Sequence, residues 1–158
     1  MKYHGRILTF TEGNTVLINI KESINLEAVL VLSSYITKFA KDQSNGFNMV
    51  VIVDKNVLLP MECNETVISN QNNYYDLGLI KTYLLCSTTL QKEIFSESYI
   101  HPLKHRESYI VSKSFEEILM KIKDDNSVDN KIVDIHYARM CEESSKSRNT
   151  NYDLLPDM

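Results

Sequence analysis

The run Met49-Val50-Val51-Ile52-Val53 is apolar at every position and closes on Asp54. A strand with no polar face must be covered on both sides, which is the situation inside a mostly parallel sheet with helices above and below. Two half-apolar strands precede it. Arg6 to Thr11 places Leu8 and Phe10 on one face, and Thr15 to Ile20 places Val16, Ile18 and Ile20 on one face. Glu12-Gly13-Asn14 between them supplies the small turn residues of a hairpin. The period then changes. Leu26, Val29, Leu30, Ser33, Ile36, Phe39 and Ala40 recur at helical spacing as far as Lys41, with Asn25 placed to accept from first-turn amides and Ser44-Asn45-Gly46 ending the element. A helix joining two strands in this way is the crossover that parallel pairing requires.

Beyond Asp54, Lys55 to Pro60 reads as loop, and Asn64 is placed to cap a short helix through Glu65, Val67 and Ile68 into the polar stretch Ser69 to Asn73. Leu79 to Cys86 is the next strand. Thr88 and Gln91 then have capping-box spacing, opening a helix with Leu90, Ile94 and Phe95 facing inward, and Pro102 ends that element or its loop. Ser108 to Val111 gives a short strand. Ser114-Phe115-Glu116-Glu117 is a second capping box, followed by the apolar stripe Phe115, Ile118, Leu119 and Ile122. Asp124 to Asn130 turns to Asp, Asn and Ser, the composition of a linker; Ile132 to Met140 regains apolar content and Ser144 to Met158 loses it. The expectation is a single α/β domain over residues 1–123, with a mixed, mainly parallel sheet, an N-terminal hairpin and crossover helices. Residues 124–158 form a linker and C-terminal extension, with Ile132 to Met140 docking on its own domain, on a second copy or on a partner.

At 158 residues and 43% hydrophobic content the chain supports one core of ordinary size. Its net charge of -4 offers no general positive field for a phosphate backbone, which sets nucleic acid aside as a partner. The opening Met1-Lys2-Tyr3-His4-Gly5-Arg6 lacks the layout of a secretory signal, and no apolar run reaches membrane-spanning length, so the expected location is cytoplasmic. The 3 cysteines, Cys63, Cys86 and Cys141, are widely spaced and odd in number, fitting neither a disulfide framework nor paired zinc ligands. The apolar neighbours of Cys86 mark it as a buried small hydrophobe. With only 4 glycines, Gly5, Gly13, Gly46 and Gly78, there is no Gly-rich phosphate cradle.

Candidate chemistry is sparse. Asp54 stands at the carboxyl end of the central strand, where contacts with ligands gather in α/β sheets; its plainer role is to cap the following turn. His101, Lys104, His105 and Arg106 crowd one loop and suit an anion, but Pro102 breaks the helical spacing that metal ligation by the two histidines would need, leaving a solvated basic loop as the simpler reading. His4 and His136 are isolated. Tyr74-Tyr75 beside Asn70 to Asn73 reads as a surface loop before a base-stacking platform. No serine or cysteine carries a nucleophile signature, and no cofactor or metal is implied.

The element order, the hairpin around Glu12-Gly13-Asn14, the helix opening Asn25-Leu26-Glu27-Ala28, the central Val50-Val51-Ile52-Val53-Asp54 and the closing Tyr109-Ile110-Val111-Ser112-Lys113-Ser114-Phe115-Glu116-Glu117-Ile118-Leu119 together resemble the STAS domain, named for sulfate transporters and anti-sigma-factor antagonists. The resemblance is to its small stand-alone bacterial versions with a STAS-like or lipid-transfer-like fold, and it covers Lys2 to Lys123. It implies a non-catalytic regulatory or scaffolding module that binds another protein or itself. In the antagonists, a serine at the start of the helix after the central strand is phosphorylated; the matching stretch Pro60-Met61-Glu62-Cys63-Asn64-Glu65-Thr66 holds no serine, so the phosphoswitch is not carried over. The expected partner surface is Asp54, Glu62, Asn64, Glu65 and Thr66, where a helix amino terminus and polar groups meet. Two alternatives stand beside it: a small-molecule or lipid carrier whose helices and sheet enclose a small apolar ligand, and a small hydrolase or transferase using Cys86 or His105.

Overall fold

Across the Gly13-Asn14 turn, Glu12 pairs with Thr15 and the hairpin of β1 (Ile7–Glu12) and β2 (Thr15–Ile20) zips back to the pair Ile7 and Ile20. The computed structural model describes residues 5–128 and the backbone of a two-residue strand, Asp153–Leu154. After the hairpin, the chain repeats one move three times: α1 (Leu26–Lys41) leads to β3 (Phe47–Val53), α2 (Asn64–Asp76) to β4 (Leu79–Leu85), and α3 (Thr89–Phe95), extended by a π turn over Ser96–Ile100, to β5 (Tyr109–Ser112). Each new strand pairs in parallel with the one before it, and α4 (Phe115–Lys123) closes the domain. The sheet order is β5-β4-β3-β2-β1, with β6 (Asp153–Leu154) adding antiparallel to β1 through Leu8 and Thr9. The fold is thus the expected α/β unit on a mixed, mainly parallel sheet. The segment Ile132 to Met140, with His4, His136 and Cys141, lies outside the described residues.

Both sheet faces are covered, as the apolar β3 requires. Ile7, Val16, Ile18, Met49 and Leu84 pack on one face against Ala28, Val29 and Ile36 of α1, Tyr74 of α2 and Phe95. Leu8, Leu17, Val50, Ile52, Tyr83 and Leu85 face the other way, where Ile118 and Ile122 of α4 meet them. Burial of such side chains contributes roughly 1.5–3 kcal/mol each. Every residue of β2 is buried, including Thr15 and Asn19, so the alternation read from its sequence describes two covered faces instead of one wet face.

Local rules explain the helix starts. Asn25 Oδ1 accepts from the Ala28 amide at 3.0 Å, and Ser114 Oγ accepts from that of Glu117 at 3.2 Å. The second capping box does not close reciprocally, because the Glu117 carboxylate instead accepts from Ser112 Oγ at 2.9 Å. At the starts of β3 and β4 two backbones nearly touch. Gly46 has φ +86° and a Cβ there would stand 2.8 Å from the Gly78 carbonyl oxygen, which already accepts from the Phe47 amide at 3.0 Å.

Residues 124–128, read from composition as the beginning of a linker, pack onto the domain. Val128 is buried on the α4 side, and Ser127 ties the segment to the hairpin turn and to β3: its carbonyl accepts from Asn14 Nδ2 at 2.6 Å and from Asn48 Nδ2 at 3.1 Å, while its hydroxyl donates to Asp125 Oδ1 at 2.6 Å within the segment. Asn48 is fully buried, so this bond satisfies an amide that has no access to water. The Tyr83 hydroxyl donates to the other Asp125 oxygen. Burial pushes the Asp125 carboxyl up, but hydrogen bonds from Ser127 and Tyr83 and the Lys81 charge outweigh it and hold the group below its ordinary value.

Candidate functional site

At the carboxyl edge of the sheet, Asp54 follows β3 directly. Its amide donates to Ile20 O at 2.9 Å, its carbonyl accepts from the Val57 amide at 3.1 Å, and its carboxylate lies 3.8 Å from Lys21 Nζ, the two side chains being 19% and 7% exposed. A lysine that nearly dry needs a counter-charge, and Asp54 supplies it. The strand order never reverses along the parallel strands, and α1, α2 and α3 lie together on one face, so the crevice that a topological switch point would open beside Asp54 does not form. The turn-forming role accounts for what Asp54 does within the fold.

The loop after Asp54 is fixed by a residue whose side-chain role was not legible in its spacing. Gln91 is 2% exposed; its Nε2 donates to the carbonyls of Asp54 (2.6 Å), Val57 (2.9 Å) and Lys55 (3.1 Å), and its Oε1 accepts from the Ser87 amide at 2.9 Å. Its backbone amide donates to Thr88 Oγ1 at 3.1 Å, as the capping spacing predicts. The side chain, however, turns away to bind the β3–α2 loop. Ser87 Oγ donates to Val53 O at 2.6 Å, joining the same two edges. Ser23 completes the ring by donating to Asn56 O at 3.4 Å and accepting from the Leu58 amide at 3.1 Å.

The other four expected site residues follow this loop. A 3₁₀ turn, Met61–Cys63, leads into α2, so Asn64 is already helical and does not cap; its Oδ1 accepts from the Tyr99 hydroxyl at 2.7 Å. That corrects the capping role read from the sequence. Glu62 and Glu65 are exposed and Thr66 is half-buried. Asp54 points into its pair with Lys21, so the five residues share a chain segment without converging on one point of chemistry. Large apolar side chains stand exposed at this edge: Leu58 and Met61 on the loop, with Met61 87% exposed, and Leu90 on the first turn of α3 at 62%. Leu90 therefore points outward, contrary to its sequence reading, because Gln91 and Phe95 supply the inward positions. Tyr74 and Tyr75, expected in a surface loop, belong to α2, and Tyr74 is buried against α1.

Between the sheet and the three helices is a cavity of about 90 Å³, lined by 19 residues of which none is charged. Its walls are aliphatic and aromatic side chains of β2, β3, β4 and all three helices. One end is polar. There the Tyr109 hydroxyl donates to Gln71 Oε1, and the hydroxyl of Thr82, a residue 2% exposed, hydrogen-bonds to the Tyr109 phenol oxygen. Burial raises the Tyr109 phenol, opposed by the nearby Thr82 hydroxyl, so the ring is neutral at ordinary pH. A drug-sized ligand needs roughly 300–1,000 Å³, and a lipid tail is no smaller, so this space takes neither as it stands.

Among the described residues, both cysteines are buried. Cys86 is 1% exposed, and burial, opposed by Lys92, pushes its thiol up to about 11; burial and the Glu62 charge raise the Cys63 thiol as well. Thiols in that state are protonated at neutral pH and are weak nucleophiles. His101, Lys104, His105 and Arg106 are exposed, as a solvated basic loop should be, with His105 stacked on Tyr75 at 4.4 Å between ring centroids. Among the described residues no group of three or more His, Cys, Asp or Glu is arranged to hold a metal ion, and no helix is long and apolar enough to cross a membrane. Compared with known protein families and with curated proteins, the chain matches none.

Proposed function

We propose that the chain is a non-catalytic protein-binding module of STAS-like type, acting in the cytoplasm, and that it meets its partner at the carboxyl edge of the sheet. The observation that carries this reading is the exposure of Leu58 on the β3–α2 loop, Met61 on the 3₁₀ turn and Leu90 on the first turn of α3, at an edge where buried bonds from Gln91 and Ser87 hold residues 53–57. Backbone held in place loses little freedom when a partner covers it, and exposed apolar side chains beside charged ones suit an interaction site. Glu62 and Glu65 supply the acidic rim, and Asn64 and Thr66 belong to the supporting helix start. The partner would present apolar side chains to the patch and basic groups to Glu62 and Glu65.

The test is capture from extracts of the source cells by the full chain, with the Met61→Glu/Leu90→Glu variant and a Met120→Glu control. Met120 is 65% exposed on α4, across the sheet. A protein held by the wild type and the control but lost by the double variant supports the reading. A protein that stays bound to the double variant overturns it. Light scattering on the same proteins reports whether the occupant is a second copy.

A further inference from the structure

We propose that the outer edge of β1 is a strand-addition site for an extended segment of a partner protein with alternating apolar and polar residues, and that the chain's own Asp153–Leu154 occupies it in the partner's absence. The direction of the backbone groups comes first. The Arg6 carbonyl accepts from the Lys21 amide at 2.9 Å, so Arg6, Leu8, Phe10 and Glu12 turn their backbone groups toward β2, while Ile7, Thr9 and Thr11 turn theirs outward. β6 is in register with Leu8 and Thr9 and so meets one of the three outward positions; among the described residues, Ile7 and Thr11 have no outer strand partner. A segment running from Ile7 to Thr11 would engage all three. The edge is also unguarded. β1 reads Ile-Leu-Thr-Phe-Thr-Glu, with no proline or lysine, and its pairing with β2 runs without a bulge, so it lacks the features that keep edge strands from accepting another chain. The connector does not dictate the pairing. Residues 129–152 reach up to about 80 Å when extended, against the roughly 20 Å along β1 from Asn14, to which Ser127 is tied, to Leu8. Specificity follows from the pleat: a segment in the β6 register sets apolar residues beside Leu8 and Phe10, on the α4 side, and polar ones beside Thr9 and Thr11. Asn151-Tyr152-Asp153-Leu154 has that alternation.

The inference goes beyond the partner-binding reading and concerns another surface, so the capture variants at Met61 and Leu90 leave it intact and neither result decides the other. It is tested on the full chain by amide hydrogen exchange and by fluorescence anisotropy of a labelled synthetic peptide with the sequence of residues 149–156. In the wild type the Thr9 amide should exchange at least about tenfold more slowly than that of Thr11. Asp153→Pro/Leu154→Pro removes both backbone donors of β6 while leaving residues 5–128 unchanged, and should abolish that difference. The peptide should bind this variant saturably and the wild type at least about tenfold more weakly, because the tethered strand competes there at roughly millimolar effective concentration. Methylating the peptide's Asp153 nitrogen removes the donor that faces Thr9 and should weaken binding to the variant about tenfold, the worth of one hydrogen bond, which side-chain contacts alone would not. Equal exchange of Thr9 and Thr11 in the wild type, a difference that persists in the variant, absence of saturable binding to the variant, or equal binding of the methylated peptide would each overturn the assignment.

Discussion

Replacing Gln91 by Met removes one buried amide and leaves the carbonyls of Asp54, Lys55 and Val57 and the Ser87 amide without the group they share. An amide nitrogen carries two hydrogens, so the three carbonyl contacts amount to about two full bonds, and the Ser87 contact makes a third. At about 1 kcal/mol net per bond, with a further penalty for partners that stay dry, the loss is about 3–5 kcal/mol. Lys55 and Asn56 are exposed, so the loop can turn some carbonyls toward water, which brings the expectation to about 2–4 kcal/mol. Urea unfolding followed by circular dichroism would read this as a lower midpoint at unchanged slope. Gln91→Glu sharpens the argument. A carboxylate facing carbonyl oxygens is repelled, so its folded-state pKa is raised; the variant should be most stable below the ordinary glutamate value and lose stability as pH rises through the folded one. A Met variant within 0.5 kcal/mol of wild type, or a Glu variant indifferent to pH, would refute the role given to Gln91.

Three further outcomes follow from the same bookkeeping. Gly46→Ala meets both a positive φ and the Gly78 carbonyl at 2.8 Å, so thermal unfolding should report a loss of more than 2 kcal/mol, well beyond an ordinary Gly-to-Ala change. Asn48→Ala should cost about 2–3 kcal/mol and free residues 124–128, visible as faster amide hydrogen exchange at Ser127 and Val128. Burial, with a Ser33 hydrogen bond opposing, raises Tyr74 from 10.0 to about 12; a raised pKa stabilises below the unfolded value, so about 3 kcal/mol should vanish as pH climbs from 10 toward 12, and Tyr74→Phe should blunt that fall in a urea series.

Where one residue pattern dictates one environment, the chain was readable. An unbroken apolar β3 has no option but two covers, and Asn25 and Ser114 stand directly before periodic apolar runs. The misreadings share a physical cause: the deciding contact comes from elsewhere in the chain. Asn64 resembles a cap, yet a 3₁₀ turn brings the helix in earlier and Tyr99 claims its side chain. Tyr74 follows a polar stretch, yet the body of α2 turns it onto α1 and the sheet. Leu90 is hydrophobic but sits one position before the inward face that Gln91 begins. The expected site segment was legible as an edge rich in loops and charge, whereas its exposed apolar residues were not singled out. The cavity depends on how three helices lie across the sheet, which spacing does not encode; its one sequence trace is Thr82, a hydroxyl within the strand Leu79–Cys86.

The unreversed strand order bears on how the chain reaches its native state. Because each parallel strand settles beside the one made just before it, the sheet can grow outward from the hairpin in the order of synthesis, and each step closes a loop no longer than a single crossover. The side that receives α1, α2 and α3 is roofed as it grows. Its reverse waits for α4, so Val50, Ile52 and Tyr83 stay bare until most of the described chain has been made. The nascent protein is therefore most vulnerable to self-association late, after β4 and before α4, and a chaperone would find its binding surface on that reverse side.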